Sequence, residues 1–274
     1  MARSEGTFHM KTERDPADGR ILSRKAGAVQ IITIDRPAKL NGFSAVMLDD
    51  LSEAFTELEN DPAMRCGVLC AAGRNFTAGL ELSKLSGRLA EGISLFPADK
   101  VDPVNLQRLR TKPVVAAVQG ICFTIGIELM LAADIVVAAS DCRFAQLEVK
   151  RGIMASAGAT IRMAERAGMG NALRFLLTGD EFDAETALRL GFVQEVVPPG
   201  EESGRAIALA ERIAAQAPLA VAATLSNARK SVFEGSNAAL AELQILQTRL
   251  RSTEDAAEGV RSFIEKRPGN FVGR

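Results

Sequence analysis

The sequence carries a carboxylate, Glu128, in surroundings where a charge is costly. The stretch from Val114 to Ala139 contains only two ionisable groups, Glu128 and Asp134. Its pattern predicts that Glu128 lies in the first turn of a buried helix beginning near Gly126. A helix N-terminus favours the charged form and burial disfavours it, so the pKa of this carboxyl can be tuned for acid–base chemistry. A structural glutamate that accepts helix-end amides or pairs with an arginine fits this position equally well.

Histidine and cysteine chemistry have little support. The single histidine, His9, lies in a polar N-terminal arm, which argues against Ser-His-Asp, Cys-His and histidine-containing zinc sites. The four cysteines, Cys66, Cys70, Cys122 and Cys142, lie in apolar segments and are expected to be reduced core residues. The chemistry is therefore expected to depend on carboxylates, lysines, backbone amides or a bound cofactor.

Two glycine-containing turns could supply the backbone amides. NFTAGLE, at 75–81, and GICFTIG, at 120–126, each follow a predicted buried strand and end where a helix begins. Such turns point unpaired N–H groups outward, and two of these converging on one oxygen form an oxyanion hole. Turns of this kind are common, so spacing alone does not establish that they converge.

The elements that must position these residues alternate between α and β. The pattern predicts a hairpin of strands at 21–25 and 28–35, and buried strands at 66–73, 114–118, 134–139 and 193–197. Ser44 is predicted to cap a helix, and residues 87–102 are predicted to be a mobile loop. Further helices are predicted at 104–110, 156–167, 170–177, 183–190, 201–215, 219–234, 236–251 and 253–265.

Composition limits the partners. The chain has 33 Lys+Arg against 34 Asp+Glu, so its net charge of -1 favours neither a nucleic acid nor an anionic membrane. The apolar stretch at 114–139 is interpreted as two strands and a helix, not a membrane span, and the N-terminus lacks an apolar signal region. We therefore expect a cytoplasmic protein with no membrane or nucleic-acid partner.

Five segments lie in collinear order along most of the chain. The central block is AVQGICFTIGIELMLAADIVVAASDCRFAQLEVKRGI, and the others are IDRPAKLNGFS, NFTAGLELSKL, LLTGDEFDAETALRLGFVQEVVP and FIEKRPGNFVGR. Together they resemble the crotonase, or enoyl-CoA hydratase/isomerase, superfamily, whose pattern at the central block is A-V-N-G-x-A-x-G-G-G-x-E-L-x-x-x-x-D-I.

The resemblance implies an α/β fold, a crotonase-like ββα spiral core with a helical C-terminal trimerisation region. On this basis we divide the chain into a flexible N-terminal arm at 1–19, a catalytic core at 20–200 and a helical region at 201–274. The resemblance implies a homotrimer, or a hexamer formed by two trimers. It also implies a coenzyme A thioester substrate from fatty acid metabolism, with no separate cofactor and no metal.

Family members with hydratase activity carry two glutamates, which match Glu128 and Glu148 here. The resemblance implies that the thioester oxygen is held by the backbone amides of Leu80 and Ile125. In the expected reaction, Glu128 holds and deprotonates a water that adds to Cβ of a 2-enoyl-CoA. Glu148 delivers a proton to Cα, and the product is a 3-hydroxyacyl-CoA.

Other residues are candidates for substrate binding. By their place in the family motifs or by charge they are Ala78, Gly126, Ser156, Lys39, Lys84 and Lys266, the last, or Arg267, acting from a neighbouring subunit. The cationic members could contact the phosphates of coenzyme A. Any one of these cations is more typical of a solvated surface residue.

The sequence departs from the family pattern near the expected site. Thr124 and Ile125 replace the first two glycines of the usual triple, and the side chain of Ile125 must be accommodated at the oxyanion hole. Ala155 and Ser156 replace the Pro and Gly of G-I-x-P-G-A-G, close to where family members hold the reacting water. Glu81 stands where Asp is usual. These changes are expected to reshape the acyl pocket.

Two alternative functions remain. One is another superfamily reaction, such as a Δ3,Δ2-enoyl-CoA isomerase, a hydrolase or a carbon–carbon lyase. Isomerases of the family typically need only the second glutamate, so the retained pair favours a hydratase. The other is non-catalytic RNA binding, but the chain has no Trp or Tyr and no run of five or more Lys and Arg.

Overall fold

The computed structural model describes residues 15–92 and 94–274. The strands are β1 (Arg20–Ala26), β2 (Val29–Asp35), β3 (Cys66–Ala71), β4 (Val114–Val118), β5 (Ile121–Phe123), β6 (Ile135–Ala139), β7 (Arg143–Ala145), β8 (Phe182–Asp183) and β9 (Glu195–Val197). The α-helices are α1 (Ala45–Asn60), α2 (Leu82–Ala90), α3 (Ile125–Ala132), α4 (Ala159–Ala167), α5 (Met169–Thr178), α6 (Ala184–Arg189), α7 (Glu202–Ala214), α8 (Pro218–Glu234), α9 (Ser236–Arg251) and α10 (Glu254–Glu265). His9 and most of the predicted arm lie outside the described residues.

A six-stranded sheet forms the centre of the fold, in the order β1-β2-β3-β4-β6-β9. The predicted hairpin is present, with β1 antiparallel to β2 and the pair closing at Ala26↔Val29. The remaining neighbours in this sheet are parallel. Every residue of β3 and β4 is buried, as expected for parallel strands covered on both faces. A second, three-stranded sheet has the order β5-β7-β8.

Two apolar layers cover the central sheet. The larger contains the buried face of α1, including Leu48, Leu51 and Phe55, together with α3. The smaller packs Ala206, Ala210 and Ala214 of α7 against the opposite face of the sheet. This mixed α/β core with trailing helices agrees with the predicted crotonase-like class, and all four cysteines are free and buried as predicted.

The apolar stretch at 114–139 is divided among β4, β5, α3 and β6, which places it inside the protein core. Within the described residues no single helix is long and apolar enough to cross a bilayer. The pair α7 and α8 reaches that length and composition only when taken together, across a bend of 109°.

The predicted helix at 104–110 is wrong, because this segment forms turns and bends. The Asp102 carboxylate accepts hydrogen bonds from the N–H groups of Val104, Leu106 and Gln107, at 3.0, 2.8 and 3.0 Å. Asn105 has a φ of +54°, outside the helical region. A short acidic side chain has thus satisfied the amides that a helix would have used. The predicted loop at 87–102 also needs correction at its start, since α2 extends to Ala90.

Candidate active site

Glu128 lies in the first turn of α3 and is 3% exposed. Its Oε1 accepts hydrogen bonds from the N–H groups of Ala157 at 2.7 Å and Ala159 at 3.2 Å. Burial raises the pKa of this carboxyl to about 7, while the two amides oppose the rise. In the described part of the chain Oε2 makes no hydrogen bond, so one carboxylate oxygen is held and the other is available to a ligand.

Glu148 is the first residue of the 3₁₀ helix Glu148–Arg151. Its Oε2 is buried and has no hydrogen-bond partner among residues 15–92 and 94–274. Burial raises the pKa of Glu148 as well, and the negative charge of Glu148 contributes to the raised pKa of Glu128. The two carboxyls are therefore close enough to interact electrostatically.

Both glutamates line one cavity of about 210 Å³, far more than the space that a single water requires. The cavity is lined by Ala78, Leu80, Leu82, Leu95, Thr124, Ile125, Glu128, Leu147, Glu148, Arg151, Ile153, Met154 and Ser156. The structure thus brings together six of the residues singled out from the sequence, namely Ala78, Leu80, Ile125, Glu128, Glu148 and Ser156. The wall of the cavity is otherwise mostly apolar, which suits an acyl group.

The two glycine-containing turns lie side by side in one wall of this cavity. A parallel bridge joins Thr77 to Cys122. The Thr77 N–H donates to Ile121 O and the Phe123 N–H donates to Thr77 O, both at 3.0 Å. These backbone bonds set the register of one turn against the other.

The amides of Leu80 and Ile125 are both available for a ligand. Leu80 pairs with Phe43 in a second parallel bridge, whose hydrogen bonds use Gly79 O and Glu81 N, each at 2.9 Å. Because alternate residues of an extended chain face opposite sides, the Leu80 N–H points away from Phe43. Ile125 is the first residue of α3, where helix N–H groups have no intrahelical partner. Neither amide donates a hydrogen bond within the described residues.

Gly126 does not line the cavity. It is buried, and a Cβ at this position would lie 2.6 Å from Thr77 Cγ2 and 3.3 Å from Cys122 Sγ. Glycine at 126 therefore allows α3 to pack closely against the neighbouring turn. The structure gives Gly126 a packing role, and its contact with substrate stays a prediction.

The predicted cationic residues also lie outside the cavity lining. Lys39 is exposed at the end of the 3₁₀ helix Pro37–Lys39, and Lys266 is exposed after α10. Lys84 is 3.1 Å from a carboxylate oxygen of Asp18 and 3.8 Å from one of Glu81. Arg267 pairs with Glu258 and Glu265, each at 2.6 Å. The cation that does line the cavity is Arg151, which the sequence motifs did not single out.

The loop with the unusual Ala155 and Ser156 still reaches Glu128, because its next residues supply the two amides described above. Arg162, which is 6% exposed, supports this loop by donating to Ala157 O at 3.4 Å, and it also donates to Val104 O at 2.7 Å. Burial lowers the pKa of Arg162 to about 10. No sequence signal pointed to these supporting groups, since they act through backbone atoms.

Comparison with known proteins agrees with this geometry. Residues 24–274 match the family described as Enoyl-CoA hydratase/isomerase. The chain is 33% identical to the enoyl-CoA hydratase EchA19 of Mycobacterium tuberculosis, covering 92% of this chain and 96% of that protein. It is also 33% identical to the 2,3-dehydroadipyl-CoA hydratase of Escherichia coli, covering 93% and 98%.

A solved structure of a probable enoyl-CoA hydratase/isomerase from Mycobacterium abscessus has 47% identity and a TM-score of 0.89, covering 93% of this chain and 98% of that one. The fold, the paired carboxyls of Glu128 and Glu148, and the similarity to these proteins together define an enzyme of the crotonase superfamily. Within that superfamily, the chain belongs to the enoyl-CoA hydratase/isomerase family.

Proposed function

We propose that the protein is an enoyl-CoA hydratase, which adds water across the 2,3-double bond of a 2-enoyl-CoA to give a 3-hydroxyacyl-CoA. The observation that carries the proposal is the pair Glu128 and Glu148, two carboxyls with raised pKa values in one cavity. Glu128 is buried, and Glu148 is half-buried with its Oε2 out of contact with solvent. Relatives named as enoyl-CoA hydratases, about one-third identical over nearly the whole chain, support this activity.

The proposed mechanism gives each carboxyl one task. Ionised Glu128 accepts a proton from the reacting water through its free oxygen, while the amides of Ala157 and Ala159 hold the other oxygen in place. The water oxygen forms a bond to Cβ, and Cα takes a proton from Glu148. The raised pKa of Glu148 favours the protonated form that this step needs.

As the bond to Cβ forms, negative charge develops on the thioester oxygen. The amides of Leu80 and Ile125 are proposed to stabilise this charge, since both are unpaired and both residues line the cavity. Water addition in the cavity would be assisted by its apolar wall, because hydrogen bonds to a developing charge are stronger where the local dielectric is low. The reaction needs no cofactor beyond the coenzyme A of the substrate.

An ultraviolet assay of a panel of 2-enoyl-CoA thioesters tests the proposal. We expect the wild type to hydrate at least one of them, and Glu128→Gln and Glu148→Gln each to lower kcat by about 10²–10⁴-fold. Gln keeps the size of Glu but can neither take nor deliver the proton. Glu211→Gln makes the same substitution at an exposed position outside the cavity lining, and this control should keep the wild-type kcat.

Other results would assign another function. Turnover of 3-enoyl-CoA that needs only Glu148 would indicate an isomerase, and release of free coenzyme A would indicate a hydrolase. An electrophoretic shift of RNA without thioester turnover would indicate that the protein is a non-catalytic RNA-binding protein. We further propose a homotrimer or a hexamer of two trimers, located in the cytoplasm.

A further inference from the structure

Thr124 has a backbone conformation that its side chain disfavours. Its φ is +51° and its ψ is -117°, outside the regions that a β-branched residue ordinarily adopts. Glycine is the residue that reaches such angles without strain. A threonine that remains in this conformation on the wall of the cavity points to a contribution from its side chain.

The Thr124 hydroxyl faces Gly79, the residue before Leu80. If Gly79 carried a Cβ, the nearest atom to it would be Thr124 Oγ1 at 2.4 Å, whereas Thr124 Cβ would lie at 3.6 Å. The hydroxyl therefore faces Gly79, whose carbonyl group is joined to the nitrogen of Leu80. The carbonyl group of Thr124 itself is joined to the nitrogen of Ile125. One hydroxyl thus lies beside both peptide units that carry the proposed oxyanion donors.

This hydroxyl has no partner in the described chain, although the backbone of Thr124 is fully engaged. The Thr124 N–H donates to Ala145 O at 2.9 Å. Thr124 O accepts from the N–H groups of Ile127 at 2.9 Å and Glu128 at 3.3 Å. No hydrogen bond from Oγ1 forms within residues 15–92 and 94–274. The backbone fixes the residue, and the hydroxyl proton can rotate towards a ligand in the cavity.

We propose that the Thr124 hydroxyl is a third hydrogen-bond donor to the thioester oxygen, beside the amides of Leu80 and Ile125. The inference rests on the proposed hydratase function, since it assigns a group to the same oxygen. As the carbonyl becomes enolate-like, all three donors gain strength, and the freely rotating hydroxyl follows the oxygen as the bond lengthens. No atom is transferred to or from Thr124 in this role.

Three variants separate the hydroxyl from the shape of the residue. Thr124→Val keeps the shape and removes the donor, Thr124→Ser keeps the donor, and Thr124→Gly removes both the donor and the backbone strain. We expect the Val and Gly variants to lose about 10- to 100-fold in kcat, with smaller changes in KM. This loss is smaller than that caused by removing one donor from an oxyanion hole with two donors, because two amides remain. The Ser variant should retain most of the wild-type kcat.

Melting temperatures and spectra of the variants distinguish a hydrogen bond from Thr124 to the substrate from a purely structural effect of the mutation. Thr124→Gly should melt at a higher temperature than the wild type while remaining slow, because it relieves the strain. A conjugated 2,4-dienoyl-CoA bound in a Glu148→Gln background should absorb at longer wavelength than in water, since donors on the thioester oxygen polarise the chromophore. Adding Thr124→Val should reduce that shift, and adding Thr124→Ser should preserve it.

Wild-type kcat in the Val or Gly variant, or an unchanged spectral shift on adding Thr124→Val, would overturn the role of Thr124. Neither result would affect the proposed function, provided that the wild type hydrates a 2-enoyl-CoA. If the wild type hydrates no substrate of the panel, the proposed function fails, and the inference about Thr124 fails with it. The two failures are therefore distinguished by the wild-type assay alone.

Discussion

Glu128 is placed where its ionised form is least stable, and this has a consequence for folding. Its pKa rises from an ordinary 4.5 to about 7 in the folded protein. Between these values the folded state binds the proton more tightly than the unfolded state, so the folding stability that this group contributes is lost as the pH rises. The reactivity of the group thus has a cost in stability at neutral pH.

Glu128→Gln should consequently stabilise the protein at high pH while removing its activity. The rise in pKa corresponds to roughly 3 kcal/mol as an upper limit above pH 7, and the difference should become small below about pH 4.5. Gln can still accept the N–H groups of Ala157 and Ala159 through its carbonyl oxygen. Urea unfolding of the variant and the wild type at pH 5 and pH 8, at equal protein concentration, measures the difference. If the variant and the wild type differ in unfolding free energy by the same amount at both pH values, the burial cost does not belong to Glu128.

The two carboxyls should also give a bell-shaped dependence of kcat/KM on pH. Hydration needs Glu128 ionised, so the rate should fall at acidic pH as Glu128 takes up a proton. It needs Glu148 protonated, so the rate should fall again as that proton is lost at higher pH. Because the carboxyls interact, the two apparent pKa values belong to the pair. Initial rates between about pH 5 and pH 9 measure the profile. A profile without an acidic limb would argue against Glu128 as the base.

At this scale the sequence predicted the two glutamates and did not predict what holds them. Glu128 was identifiable as a charge in an apolar stretch, and both glutamates match a family motif. The amides of Ala157 and Ala159 and the guanidinium of Arg162 were not identifiable, because backbone N–H groups occur in every residue and a buried arginine has no local pattern. The position of Gly126 illustrates the same limit, since only the packed structure shows which atoms its missing Cβ would meet.

Among the elements, the turn before β5 is the one whose backbone the site depends on most directly. Gly120 has a φ of +53°, and a Cβ there would lie 2.2 Å from the backbone oxygen of Arg74 in the neighbouring turn. That backbone atom cannot move aside as a side chain could. The close approach at Gly120 holds together the turns that carry Leu80 and Ile125.

Gly120→Ala should therefore lower both stability and activity. We expect a loss of at least about 2 kcal/mol in the free energy of unfolding, from the positive φ and the clash together. Gly87→Ala is the matched control, because Gly87 lies inside α2 and no atom lies within 4 Å of the position of its Cβ. That change should stabilise by about 0.5–1 kcal/mol. Urea midpoints and initial rates of both variants test the contrast, and a neutral Gly120→Ala would refute it.

The elements that were predicted well are those whose stability is local or strongly patterned. The helix at 236–251 has the predicted bounds, and the capping of α1 by Ser44 is confirmed by its hydrogen bond from Met47 N at 3.3 Å. The helix predicted at 104–110 failed because its apolar spacing was outweighed by Asp102 and by the burial of Arg110 against Asp134, at 2.9 Å. A tertiary ion pair of that kind leaves no periodic signature in the sequence.

The whole molecule has an uneven surface. The core is closely covered, yet α8 contains no buried residue and α9 contains only Ala239. Arg229 of α8 joins this helical region to the core through Asp134, at 2.7 Å. Large apolar side chains remain exposed on the C-terminal helices: Val232, Phe233, Leu240, Leu243, Ile245, Val260, Phe263 and Ile264. An exposed apolar surface of this kind is typical of a protein–protein interface.

We expect this surface to be buried between copies of the chain. Phe263 and Ile264 are neighbours at the end of α10 and are 84% and 73% exposed, and burying each such side chain contributes about 1.5–3 kcal/mol. Sedimentation should give three or six times the chain mass of 29.2 kDa for the wild type. The double variant Phe263→Glu/Ile264→Glu should sediment as a smaller species, because it places two charges in each buried surface. Leu22→Glu, which adds a charge to the edge strand β1, should leave the mass unchanged. A wild type that sediments at the mass of one chain would show that these helices are covered by something other than copies of this protein.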